Sequence, residues 1–287
     1  MELPEWSRVT VISGRTARYL LDSSNGPVEV TLDLGLTRAT VEVKDDMLRL
    51  PEGEHVSRSA LEDLFNQEED CIALLGDTWR KIYLYSDETN RYYKLYQPFE
   101  DQAPTIIINN ASMHSIVRQG PWDDEVGKVK VLPPIGGRCL DTCCGLGYSA
   151  QLLTKKGFDE VVTCEIDREV LRVASINPWS RGLFHSSRIE IMETDVRDYV
   201  EQLEDRSFQA VFHDPPTVYQ AGVLYGEELY REFWRVLSTG GVLYHYVGEP
   251  GRKHGQDYAH GVIQRLQEAG FVNVKRATGG VVAKCRK

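Results

Sequence analysis

The feature that most constrains this chain is a regular alternation of strand and helix patterns from residue 138 to residue 287. Residues 138–142, 160–166, 188–193, 208–213 and 241–247 read as short strands rich in apolar and β-branched residues. Residues 148–156, 168–175, 196–203, 227–237 and 258–269 carry helical spacing, and the 227–237 segment places Leu229, Phe233, Val236 and Leu237 on one face. Residues 272–276 and 281–284 read as a terminal hairpin. A helix over 122–131, entered at Pro121, precedes the series. Such alternation predicts an α/β fold: a doubly wound, mainly parallel seven-stranded sheet covered by helices on both faces. Ligands of such sheets bind at the carboxyl ends of the strands, so the informative residues should follow each strand.

Residues 1–112 read differently, as strands and turns. Residues 8–12, 27–33 and 37–43 carry β-branched runs, 81–85 and 91–96 suggest a hairpin, and 105–109 is another strand. A short helix is expected over 56–65, with Ser57 or Ser59 as its cap. The expectation is a smaller β-rich module over 1–112 and a ligand-binding domain over 113–287.

Charge divides along the same line. The chain has 33 Lys and Arg against 43 Asp and Glu, a net charge of -10. Before residue 113 the counts are 11 and 20, and from there on 22 and 23, so the front module holds almost all the excess. This balance disfavours a surface that tracks a phosphate backbone, and it suits a neutral or cationic partner. No apolar run approaches the length of a membrane helix, and no secretory leader is evident, so a cytoplasmic location is expected. Six cysteines at these spacings form neither a disulfide framework nor a zinc motif, and no metal site is expected.

Four strand ends carry the candidate chemistry. Asp141-Thr-Cys-Cys-Gly-Leu-Gly147 follows the first strand, where Gly145 and Gly147 permit a tight turn and close approach to a ligand. The same stretch reads Gly145-x-Gly147-x-x-Ala150, so a dinucleotide remains open beside a sulfonium nucleoside. Glu165 ends the second strand, where an acid accepts both hydroxyls of a ribose in either case. Asp195 ends the third, placed to accept from an adenine amino group or to cap the next helix. His213-Asp-Pro-Pro-Thr217 ends the fourth, where two prolines remove backbone donors and stiffen the loop around Asp214.

The order Asp141-x-x-x-Gly145-x-Gly147, Glu165, Asp195, Asp214-Pro-Pro and Leu237-x-x-Gly-Gly241 resembles class I S-adenosylmethionine-dependent methyltransferases over residues 121–287. More narrowly, Asp141-Thr-Cys-x-Gly-Leu-Gly-Tyr148, Tyr92-Tyr-Lys-Leu95 and Ala111-Ser-Met-His114 resemble predicted archaeal methyltransferases related to spermidine synthase. The resemblance implies S-adenosyl-L-methionine as cofactor. Asp141, Gly145 and Gly147 would hold its methionine part, Glu165 its ribose and Asp195 its adenine, with Asp214 where the methyl group meets its acceptor. Methyl transfer to a small-molecule or protein acceptor is the expected activity. Aminopropyl transfer from the decarboxylated cofactor and RNA methylation are the alternatives. Thr217 stands where amino-methylating relatives carry an aromatic, and the proline loop lacks the acidic pair of aminopropyltransferases.

On the acceptor side, His213 and His114 are candidate general bases, and His245 reads as structural. Tyr219, Tyr225 and Tyr246 are candidate pocket walls, and Glu249 follows the fifth strand. A homodimer is the expected assembly, with neither nucleic acid nor membrane as partner.

Overall fold

The structure is a computed structural model that describes residues 9–64, 67–117, 119–248 and 258–287. The chain divides into two compact units, Met1–Asp124 with Glu169–Phe184, and Glu125–Arg168 with His185–Lys287.

The first unit is built from small antiparallel sheets. Gly26–Val30, Ala39–Lys44, Met47–Arg49 and His55–Ser57 form one, and the Ala39–Lys44 strand buries Val41 and Val43 while Thr40, Glu42 and Lys44 face water. Val11–Ser13, Cys71–Leu75 and Thr78–Lys81 form a second. The expected hairpin is present as Tyr83–Ser86 paired with Arg91–Tyr96, and it continues into Thr105–Ile108. Ile12, Leu20, Val41, Leu48, Ile72 and Trp79 share one core.

Two local readings change here. Residues 56–65 are not a helix as far as the chain is described. Val56 pairs with Leu48 in a strand, and only Ser59–Leu61 turns as a single 3-10 turn. The Asp46 carboxylate accepts from Ser57 Oγ, Ser59 Oγ and the Ser59 amide, while Ser57 Oγ accepts the Ala60 amide at 3.3 Å over this single turn. Conversely, Gly14–Asp22 is a helix that strand patterning concealed, and Ser13 caps it through the Thr16 amide.

The sheet of the second unit follows the expected seven-stranded, mainly parallel pattern. Its strands are β1 (Arg138–Asp141), β2 (Glu160–Glu165), β3 (Ile189–Glu193), β4 (Phe208–His213), β5 (Leu237–Tyr246), β6 (Val272–Ala277) and β7 (Gly280–Lys284). They lie in the order β3-β2-β1-β4-β5-β7-β6. The first five are mutually parallel, and β7 runs antiparallel to β5 and β6. The strand order reverses between β1 and β4, which places a ligand crevice at their carboxyl ends.

From residue 121 on the helices are α1 (Pro121–Val129), α2 (Tyr148–Lys156), α3 (Arg168–Ile176), α4 (Arg181–His185), α5 (Val196–Glu201), α6 (Val218–Ala221), α7 (Glu227–Val236) and α8 (Tyr258–Glu268), of which α3 and α4 fall almost wholly in the first unit. Val196 and Val200 of α5, Leu229, Phe233 and Val236 of α7, and Val262 and Leu266 of α8 pack on Leu140, Val162, Val211 and Leu243 of the sheet. Strand alternation turns Asp141 and Thr163 to the opposite face, where Ser149 of α2 meets them. Among the described residues no helix is long and apolar enough to cross a membrane.

Candidate active site

Asp141 ends β1 and is fully buried. Its Oδ2 accepts from Ser149 Oγ at 2.9 Å and Thr163 Oγ1 at 2.8 Å, while Oδ1 has no hydrogen-bond partner among the described residues. Burial outweighs these two hydroxyl donors and pushes the carboxyl up to about 7. A buried acceptor without a partner is costly in a resting protein, so an unfilled oxygen here points to a ligand donor.

Gly145 and Gly147 both occupy the left-handed region, at φ 53° and 73°, which a β-branched or bulky residue would adopt only under strain. That turn aims the Gly145 amide at Glu165 Oε2, 2.8 Å away, and Glu165 Oε1 accepts the Asp167 amide at 2.9 Å. Burial pushes Glu165 up to about 7 as well, against the pull of those amides. The glycine loop and the acid at the end of β2 are therefore one bonded unit. Asp195 caps α5 by accepting the Arg197 amide at 2.8 Å, and the Arg197 guanidinium lies 2.6 Å from its Oδ2. That guanidinium holds the Asp195 carboxyl below the usual range. Its capping role is present, as the sequence allowed.

Asp214 follows β4, and its Oδ2 receives Lys128 Nζ at 2.7 Å. The same ammonium donates to Glu125 Oε1 at 2.6 Å and lies 4.4 Å from the centroid of the Tyr246 ring. The side chains of Glu125 and Lys128 are only 4% and 7% exposed, so this is a desolvated ion cluster. Burial and the neighbouring Asp214 drive Glu125 well above the usual carboxylate range, toward its neutral acid. Tyr225 Oη donates to the Pro216 carbonyl at 3.0 Å and ties down the proline loop.

His213, the candidate general base, is placed inside the sheet edge. It is fully buried, its Nε2 donates to the Leu224 carbonyl at 2.9 Å, and its Nδ1 accepts from Thr142 Oγ1 at 2.7 Å. Burial lowers it to about 4, so it stays neutral as a tie between strand and loop. His245 beside it bonds Tyr230 Oη at 2.8 Å through Nε2. His114 lies in the first unit, where its Nδ1 meets Thr105 Oγ1 at 2.9 Å. Tyr219 is exposed, and its hydroxyl meets that of Tyr258. Glu249 lies outside the described residues. Cys139, Cys144 and Cys164 are buried with their thiols pushed up by desolvation, and no metal-holding cluster occurs among the described residues.

Sequence reading missed Glu125 and Lys128. Their signal was present: an acid and a base at i, i+3 inside the stripe Val126, Val129, Leu132, a placement that buries charge. Their partner Asp214 lies 86 residues from Lys128 along the chain, and no local pattern reports that distance.

A methyltransferase-domain family model matches residues 139–241. A Methanocaldococcus jannaschii protein described as "Uncharacterized protein MJ1233" is 38% identical over 284 residues, covering 96% of each chain. The polyamine aminopropyltransferase of Aeropyrum pernix is 32% identical over 97 residues, which is 32% of this chain and 31% of that one. A crystal structure of spermidine synthase in complex with a transition-state analogue superposes with a TM-score of 0.53 at 17% identity, covering 72% and 75% of the two chains.

Proposed function

We propose that this chain, which belongs to the same family as the Methanocaldococcus jannaschii protein MJ1233 and carries a methyltransferase domain, is an S-adenosylmethionine-dependent methyltransferase acting on a small-molecule or protein acceptor. The observation that carries the reading is the buried Asp141 carboxylate with one oxygen unfilled, beside a left-handed glycine turn and Glu165. The donor set fits the cofactor. Asp141 and the Gly145–Gly147 turn would hold the ammonium end, Glu165 the ribose and Asp195 the adenine. When bound, S-adenosylmethionine supplies an electrophilic methyl group on a cationic sulfur, and carboxylates suit both of its positive charges.

The chain's own residues contribute position and field. Pro215 and Pro216 carry no backbone N–H, so this stretch offers carbonyls and the Asp214 carboxylate. Lys128 fixes that carboxylate at 2.7 Å, and Tyr225 fixes the loop behind it. Holding an acceptor in line over a rigid edge of this kind supplies a large part of the acceleration in group transfer. A dinucleotide fits poorly: its pyrophosphate would meet Asp141 and Glu165, and the Gly145 amide that could receive it already serves Glu165.

A second reading, aminopropyl transfer from the decarboxylated cofactor, draws on the Aeropyrum pernix relative and the spermidine synthase superposition. Titration calorimetry with S-adenosylmethionine, its decarboxylated form and NADH separates the three. Tightest binding of the intact cofactor is expected. Preference for the decarboxylated form would favour the second reading, and preference for NADH would remove both.

A further inference from the structure

We propose that Lys128 sets the acceptor class of this site: its ammonium stands where an amine acceptor's would, so the nucleophile the site takes is uncharged. The proposal rests on the methyltransferase reading, with Asp214 beside the reacting centre.

Lys128 Nζ is held between Glu125 Oε1 at 2.6 Å and Asp214 Oδ2 at 2.7 Å, 4.4 Å from the centroid of the Tyr246 ring. Two acids and an aromatic face are the surroundings an aliphatic ammonium seeks. Here the chain fills them itself, with a side chain only 7% exposed on α1. The charges close without a substrate. Lys128 offsets Asp214, and burial together with Asp214 keeps Glu125 toward its neutral form. An incoming ammonium would be a second positive charge beside Lys128 in a desolvated place, with Asp214 already engaged. A hydroxyl, thiol, amide or aromatic nitrogen meets no such repulsion.

The test is a selectivity reversal in the full chain saturated with S-adenosylhomocysteine, read by calorimetry with spermidine and propylamine as probes. Wild type should bind neither amine. Lys128→Met removes the charge and should bind both at least about tenfold more tightly than wild type. Lys128→Gln gives the same comparison if the Met variant does not fold. Lys128→Arg keeps the charge and should exclude amines as wild type does, which a merely structural lysine would not require. Amine binding to loaded wild type as tight as to the Met or Gln variant overturns the proposal, as does an Arg variant that admits amines. If wild type does not bind S-adenosylhomocysteine, the methyltransferase reading falls and this proposal with it.

Discussion

Two groups of buried or partly buried acids lie by the carboxyl edge of one sheet, and they are held in opposite ways. Asp141 and Glu165, after β1 and β2, are held by neutral donors: two hydroxyls for one, two backbone amides for the other. Asp214 and Glu125, by β4 and α1, close around the ammonium of Lys128. Neutral donors stabilise a carboxylate without cancelling its charge, so the first pair keeps its capacity for a cationic ligand. An internal ammonium offsets that charge, so the second pair is engaged before a ligand arrives, with Glu125 Oε2 left without a hydrogen-bond partner among the described residues. The edge near the glycine loop is thus prepared for a cation, and the edge near the proline loop is not.

The comparison breaks most visibly at Lys128. Lys128→Met should lower unfolding free energy by about 3 kcal/mol near neutral pH, because Asp214 is left in a desolvated place without its counter-ion. Glu125, already drawn toward its neutral acid, absorbs part of the loss by staying protonated. The deficit should therefore shrink when urea denaturation is repeated at lower pH. A loss below about 0.5 kcal/mol, typical of an exposed pair, would show that the cluster is not closed as described.

The same comparison predicts a different signature on the other side. Asp141→Asn preserves shape and an acceptor for Ser149 and Thr163 but removes the charge. Cofactor affinity should fall by about tenfold, or 1.4 kcal/mol, while the melting temperature stays within a few degrees. Calorimetry and thermal unfolding on one preparation check both. Unchanged affinity would make Asp141 a structural acid.

The contrast was half legible in the sequence. β1 to β4 end in residues whose type and spacing announce themselves, since each strand is short and carries its acid at its last residue or within two residues after it. Helix α2 was read to the residue, because Gly147 precedes it and Gly157, at φ 116°, ends it. Strand β5 starts four residues earlier than its apolar run, since Ser238, Thr239 and Gly240 form no apolar run and are placed by pairing at Leu237. The Gly14–Asp22 helix was left unassigned because it is short and lies between segments that read as strands. The Lys128 cluster was invisible for a stronger reason. It joins residues far apart along the chain, and burial converts an ordinary surface pair into a site.

Titration sharpens the comparison further. Asp141 and Glu165 rise from 3.8 and 4.5 to about 7 in the folded free protein. Their folded state holds protons that the unfolded chain releases, so they favour folding below their unfolded values and lose that contribution as pH rises toward about 7. A cationic cofactor favours the ionised acids. Its affinity should therefore climb between about pH 6 and about pH 8, with proton release on binding that buffers of different ionisation enthalpy reveal. A flat profile would place both acids outside the binding linkage.

The smallest effect is expected at Asp195, where cap and ligand roles coincide. Its oxygens already receive the Arg197 amide and guanidinium, and that pairing keeps the carboxyl ionised across the neutral range. Asp195→Ala should cost about 1 kcal/mol of stability through the lost cap of α5, and Asp195→Ser should recover much of it because serine caps a helix too. Neither change alters the charge balance of the glycine loop, so cofactor affinity should fall by only about threefold, the loss of one hydrogen bond to a carboxylate that Arg197 already offsets. If Asp195→Ser recovers stability but not affinity, the carboxylate itself serves the ligand. If it recovers both, the cap alone explains the residue, and the cation-ready edge of the sheet ends at Glu165.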